Sequence, residues 1–211
     1  MTKQVAIIDY GMGNLHSVAS AINHINPNIN LSITASAETI LAADYVILPG
    51  VGAIRDCMKH IFEYDINTIV SKVIAQGQPI LGICVGMQVL MAHSEENGGV
   101  DCLGVFDEQV KHFQFTQSQH HGLKVPHMGW NQVTHLMEHP LWQGIASDTR
   151  FYFVHSFYVE LNKRFSLGQC EYGTQFSAAH VDKNVAAVQF HPEKSHRAGL
   201  VFLRNFLQWS V

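Results

Sequence analysis

The sequence predicts an α/β fold, a doubly wound and mostly parallel sheet with an antiparallel extension, and three observations predict it. In the first half, short continuous apolar runs alternate with runs whose apolar residues recur every three to four positions, the pattern of buried parallel strands joined by helices. In the second half, strand-like runs follow one another with few helices between them. A chain of 211 residues fits one compact domain with a large core, so a single domain over residues 1–211 is expected.

The first element is the apolar run Val5 to Ile8, ended by Asp9. Gly11-Met-Gly13 then turns the chain into a segment with Leu15, Val18, Ala19, Ile22 and Ile25 on one helical face. Leu31 to Thr34 and Tyr45 to Leu48 read as strands, and Ile54, Cys57, Met58 and Ile61 mark the next helical face. Ile66, Ile69, Val70, Val73 and Ile74 form the cleanest helical stripe, stopped by Gln76-Gly77 before a strand at Ile80 to Ile83. The run from Val85 onward reads as a helix. Val125–Val133, Phe151–Val159, Phe165–Cys170 and Val185–Phe190 read as strands of the extension, and Leu200, Leu203, Phe206 and Leu207 share one face of a closing helix. The polar tract from Gln114 to Gly122 has no periodicity and reads as a surface loop.

Hydrophobic residues make up 47% of the chain and charged residues only 14%, so part of the surface is expected to be covered by a partner protein. The formal net charge of -4, with no Lys/Arg stripe, argues against nucleic acid. No run resembles a secretory or membrane-spanning segment, which points to the cytoplasm. Cys57, Cys84, Cys102 and Cys170 are widely spaced, as suits reduced thiols better than disulfides or a zinc site, and no metal or cofactor is expected.

Three stretches carry chemistry. In GICVGMQ (Gly82 to Gln88), a cysteine sits where a strand gives way to a helix, between glycines small enough to let the backbone bend and a substrate approach. The N-terminus of the following helix favours a thiolate at Cys84 and offers donors to an oxyanion. On this heptapeptide alone, a buried core cysteine explains the pattern equally well. QFHPEKS (Gln189 to Ser195) follows an apolar strand and sets His191 and Glu193 two apart, on one face if the chain is extended; the carboxylate then orients the imidazole. An isolated His-x-Glu is more often a solvated surface pair, and the conjunction with the cysteine elbow is what favours catalysis. LPGVGA (Leu48 to Ala53) could bring backbone N–H groups close to a ligand, although Pro-Gly is also an ordinary turn signal.

Together these stretches resemble the class I, triad-type glutamine amidotransferases, in order and spacing. Ile7 to Asn14 (IIDYGMGN), Lys124 to Asn131 (KVPHMGWN) and Tyr152 to Tyr158 (YFVHSFY) make the chain similar, over essentially its whole length, to the glutaminase subunits of imidazole glycerol phosphate synthases. The resemblance implies a flavodoxin-like class I amidotransferase fold. It implies that Cys84 attacks the side-chain amide of L-glutamine, with His191 as base and then acid and Glu193 orienting it. It further implies an oxyanion hole from backbone N–H groups of Val51 or Gly52 and of Val85, and glutamine binding by Gly50, Gln88, Glu96 and the backbone near Ser156. The implied partner, in a heterodimer, is a (β/α)₈ cyclase subunit to which ammonia is channelled and which makes imidazole glycerol phosphate and aminoimidazole carboxamide ribonucleotide for histidine biosynthesis. Met128, Gly129, Trp130, Tyr152 and Lys194 are the expected docking positions. Slight activity until the cyclase holds its nucleotide is also implied, with the Pro49–Gly52 backbone reorienting to complete the oxyanion hole.

Other readings compete. A paralogous amidotransferase subunit could feed ammonia to a different synthase, and a simple cysteine hydrolase would share the triad. The 14 histidines, including His120-His121, suggest a metal-binding module, but no metal-ligand spacing accompanies them. Gly11-x-Gly13 hints at a dinucleotide fingerprint that fails at position 16, where the third glycine is replaced by His16.

Overall fold

The computed structural model describes residues 2–115 and 122–210. Most of the tract read as a loop, and the His120-His121 pair, lie outside the described residues.

The first half builds the parallel core. In order come β1 (Gln4–Ile8), α1 (Leu15–Ile25), β2 (Asn30–Thr34), α2 (Ala37–Leu41), β3 (Tyr45–Gly50), α3 (Ile54–Glu63), α4 (Ile66–Ala75), β4 (Ile80–Cys84) and α5 (Val85–Gln88). Strands β3 and β4 are buried at every position, which is why they read as unbroken apolar runs. The helices bury the stripes that periodicity picked out, Val18, Ala19 and Ile22 on α1 and Ile66, Ile69, Val70 and Val73 on α4. The short α2 carried no such stripe; its start is set by Ser36, whose hydroxyl accepts from Thr39 N at 3.4 Å.

The second half adds β5 (His93–Ser94), β6 (Val100–Asp101), β7 (Gln109–His112), β8 (His127–His135), β9 (Thr149–His155), β10 (Phe157–Val159), β11 (Ser166–Glu171), β12 (Gln175–Asp182), β13 (Val185–Val188) and α6 (His196–Phe206). The main sheet runs β2-β1-β3-β4-β13-β12-β10-β7-β5-β6, parallel from β2 to β13 and antiparallel at β13-β12, β12-β10 and β10-β7. A branch leaves β12 through β11 to β8 and β9. Aromatic side chains fill the space beneath α6, Phe151 stacking on Phe190 at 4.2 Å and Phe202 meeting Phe190 edge-on.

Three expectations need correction. The helix after Cys84 is four residues long rather than running through His93, because the backbone from Val89 to Leu90 turns to accept bonds from Leu103, Val105 and Phe106. Phe151–Val159 is two strands: at Ser156 the chain leaves its pairing with β8 for new partners, β7 and β12. Strand β12 escaped notice because its buried interior holds Ser177 and His180, which dilute the apolar signal.

The sheet order positions the site. Cys84 at the end of β4 is level with Gly50 at the end of β3, and Ile83 is level with Val188 of β13. Three parallel strands therefore deliver their carboxyl ends to one edge, the place where open α/β sheets hold ligands.

Candidate active site

Cys84 occupies a strained bend. Its φ of 58° and ψ of -113° lie where residues with a Cβ are rarely found, a cost of about 1–3 kcal/mol that surrounding contacts must offset. Those contacts are backbone against backbone. A Cβ on Gly86 would stand 1.9 Å from Leu48 O, and one on Gly50 would stand 2.6 Å from Gly86 N. Glycine at both positions is what lets β3 press against the turn and hold it.

The Cys84 side chain is 4% exposed, with Gln189 Nε2 at 3.9 Å and Val154 O at 4.0 Å from its sulfur. His191 follows β13 and turns its Nδ1 to Glu193 Oε1 at 2.8 Å. The pairing arises differently from the extended-chain expectation. Pro192 starts a 3-10 turn over Pro192–Lys194, and this curl, not strand alternation, brings the carboxylate under the ring. Asn14 Nδ2 supports the same carboxylate oxygen at 3.3 Å, and Ser195 Oγ donates to His191 O at 2.6 Å.

His191 Nε2 is buried with no hydrogen-bond partner among the described residues, and Cys84 is near enough to influence the ring's proton affinity. Burial alone pushes the imidazole toward neutrality. Attraction to Cys84 and the bond and charge of Glu193 outweigh that, and the pKa rises to about 10. The ring therefore holds a proton at neutral pH between a sulfur and a carboxylate.

A cleft of about 370 Å³ opens over the sulfur. It brings together Val51, Gly52, Val85, Gln88, Glu96 and Ser156 with Cys84 and His191. Gly50 lies behind this wall, packed on the turn, and Glu193 lies beneath the imidazole with its side chain fully buried. Glu96 Oε2 accepts from Ile54 N at the start of α3 at 3.1 Å. Burial raises its carboxyl pKa, Asp56 adds to the rise, and the Ile54 bond opposes it. Among the described residues no cluster of three or more His, Cys, Asp or Glu side chains could hold a metal ion.

Lys194 lines the cleft mouth and also meets the expected docking positions. Its Nζ lies 5.9 Å from the Tyr152 ring, which meets Trp130 edge-on at 6.1 Å. Met128 and Trp130 are 62% and 43% exposed on β8, flanking Gly129. Lys194, Tyr152 and Trp130 thus connect the cleft mouth to the exposed face of β8.

Sequence reasoning assigned no role to four residues the structure adds. Gln189 faces the sulfur, Tyr10 donates its hydroxyl to Pro49 O at 2.8 Å, Asn14 supports Glu193, and His155 lines the cleft. All four lie inside stretches already singled out, and their polarity within apolar runs was the available signal.

The glutamine amidotransferase class-I family model matches residues 6–209. The imidazole glycerol phosphate synthase subunit HisH of Pseudomonas syringae pv. syringae (strain B728a) is 54% identical over 207 residues, 97% of each chain. That of Acinetobacter baylyi is 49% identical over 210 residues, 99% of each. Among solved structures, PurLQS from Thermotoga maritima aligns with a TM-score of 0.72 at 16% identity over 99% of each chain. The glutaminase domain of Trypanosoma brucei CTPS gives 0.65 at 14%, over 100% of this chain and 96% of the other. At those identities the solved structures speak to the fold alone.

Proposed function

This chain belongs to the class I glutamine amidotransferase family, among the HisH subunits of imidazole glycerol phosphate synthase, and we infer from that membership and the cleft's geometry that Cys84, His191 and Glu193 carry its glutaminase chemistry. Its activity is the hydrolysis of glutamine in histidine biosynthesis. The observation that supports the residue roles is one buried imidazole, bracketed by a strained cysteine and a carboxylate, at the base of a cleft.

Each step uses a group already in place. Cys84 Sγ, its proton held by His191, attacks Cδ of the glutamine carboxamide, and the carbonyl electrons move onto oxygen. Backbone N–H groups of Val51 or Gly52 and of Val85 stabilise that oxyanion. His191 gives its proton to the amide nitrogen as the C–N bond breaks; ammonia leaves and a γ-glutamyl thioester remains. Water then attacks the thioester carbonyl while His191 takes its proton, the C–S bond breaks, and glutamate departs. Glu193 keeps the ring oriented and supports its charge throughout.

Gly50, Gln88, Glu96 and the backbone near Ser156 hold the polar ends of glutamine. The amide of Gln88 can be oriented from its bonds. Nε2 donates to Phe157 O at 3.0 Å and to Gln189 Oε1 at 2.9 Å, so Oε1 remains to accept from the substrate.

Ammonia released here would be protonated in bulk water. We place its exit toward a (β/α)₈ cyclase docked on Met128, Gly129, Trp130, Tyr152 and Lys194, with the Pro49–Gly52 backbone adjusting when that partner is loaded with nucleotide. Exposed Met and Trp beside a cleft mouth suit an interface core. No helix among the described residues is long and apolar enough to cross a membrane, and we assign the complex to the cytoplasm.

The test is glutamate release by the chain alone and with a candidate cyclase and its nucleotide, beside Cys84→Ala. Release should depend on Cys84 and rise with the loaded partner. Equal rates with and without the partner would sink the docking role, and turnover by Cys84→Ala would sink the nucleophile.

A further inference from the structure

A buried pair of histidines links the exposed strand β8 to the cleft. His127 and His155 are register partners on β8 and β9, 3% and 6% exposed. His155 Nδ1 lies 2.7 Å from Phe157 O, which can only accept, so Nδ1 carries the hydrogen. Burial, the largest influence on each ring, lowers the His127 pKa to about 4 and the His155 pKa to about 3, so both are neutral. His155 Nε2 must then accept, and its partner at 2.9 Å is His127 Nδ1, which therefore carries the second hydrogen. His127 Nε2 is left to accept from Asn131 Nδ2 at 3.2 Å. Both tautomers and every donor direction are fixed by one obligate acceptor.

The same Phe157 carbonyl is where Gln88 donates, and Gln88 in turn holds Gln189, whose Nε2 donates to the Cys84 sulfur at 3.9 Å. The other end lies on the surface strand. On β8, His127 points inward while Met128 and Trp130 point outward, and the half-buried Asn131 also anchors to Glu171 O at 2.9 Å. A shift of β8 reaches Phe157 O through two imidazoles without crossing a flexible side chain.

We propose that His127 and His155 are positioning residues: a directional hydrogen-bond relay through which the register of β8 sets the Phe157 carbonyl, and through it the orientation of Gln88 and Gln189 against the substrate and the sulfur. This rests on the glutaminase reading of the Cys84–His191 cleft. The ring of His127 is also sandwiched between Tyr172 at 4.0 Å and Phe153 at 5.0 Å, so aromatic packing is the competing role.

Two substitutions separate them. His127→Phe keeps the stack and removes the donor; His127→Asn removes the stack and keeps an N–H near the Nδ1 position. In the complete complex with its cyclase and nucleotide, the relay predicts that His127→Phe loses about tenfold or more in kcat/KM for glutamine and that His127→Asn recovers most of it. The reverse order, or equal loss in both, overturns the relay. Independently, ¹⁵N spectra of histidine-labelled wild-type chain should show Nδ1–H on both rings at neutral pH, and an Nε2–H tautomer on either overturns it. The spectra need no substrate, so they test the relay even if the wild-type complex releases no glutamate, a result that would instead sink the glutaminase reading.

Discussion

Among the described residues, two buried histidine–glutamate pairs lie beside a nucleophile-type side chain, and the proposed function assigns the chemistry to one of them. At the cleft, Glu193 holds His191 Nδ1 at 2.8 Å, with a strained cysteine near enough to influence the ring. On β12, His180 Nδ1 meets Ser177 Oγ at 2.5 Å, and Nε2 stands 3.8 Å from Glu108 Oε2. Residue types alone would call both a triad. The serine of the second pair, however, donates to Ala179 O at 3.1 Å, so its hydroxyl accepts from the ring. Ser177 and His180 are 0% exposed and Glu108 is 8% exposed, which leaves no approach for a substrate. Backbone strain and an open cleft, rather than an acid–base–nucleophile list, set the pair proposed to react apart from the sealed one.

Substitution should separate the two pairs most sharply at the nucleophiles. Cys84→Ala is expected to lower glutamate release by about 10⁴-fold or more. Ser177→Ala should leave release within about twofold while costing about 1–3 kcal/mol of stability, because a buried imidazole nitrogen loses its partner. Comparable losses of activity would erase the distinction.

The acids come next in size. Glu193→Gln should lower kcat on the order of 10³-fold. It also removes one of the interactions that raise the His191 pKa, so the alkaline limb of the rate profile, expected near 10 in the wild type, should move to lower pH. Glu108→Gln should shift neither kcat nor that limb. A common displacement of the limb in both variants would mean that the pairs are electrically coupled.

The same contrast explains what could be read in advance. The parallel core was legible because β3 and β4 are buried on both faces and their sequences had no freedom to be polar. That Cys84, His191 and Glu193 come together was legible because they sit in short motifs at the ends of apolar strands. The 3-10 curl that joins His191 to Glu193 was not, since H-P-E is compatible with strand or turn and the choice depends on packing around Ser195, whose hydroxyl receives Tyr152 N at 3.0 Å. Nor was the brevity of α5, because its end is set by the distant segment Leu103–Phe106. Strand β12 was hidden by the Ser177–His180 pair itself: polar residues bonded to one another in a core look like surface residues in a sequence.

The smallest effect tests the sealed pair by pH. Burial pushes the Glu108 carboxyl up, but the nearby His180, with help from the Asn162 amide, outweighs it and holds the group below its ordinary value of 4.5. A carboxylate with a depressed folded pKa contributes stability that is present above the unfolded value and lost as pH falls through the folded one. Protonated glutamic acid then resembles glutamine in size and charge. The stability difference between wild type and Glu108→Gln, read through Tm, should accordingly be largest above about pH 5 and shrink as pH falls below 4.5, the change being at most about 1.4 kcal/mol for each unit by which the pKa is depressed. His127 and His155, neutral in the fold with values lowered to about 4 and about 3, also cost stability as the unfolded chain protonates below 6.5. That loss is common to both proteins and cancels in the difference. A Tm gap that stays constant from pH 6.5 to 3.5 would show that Glu108 is held by packing and by Asn162 rather than by the charge of His180.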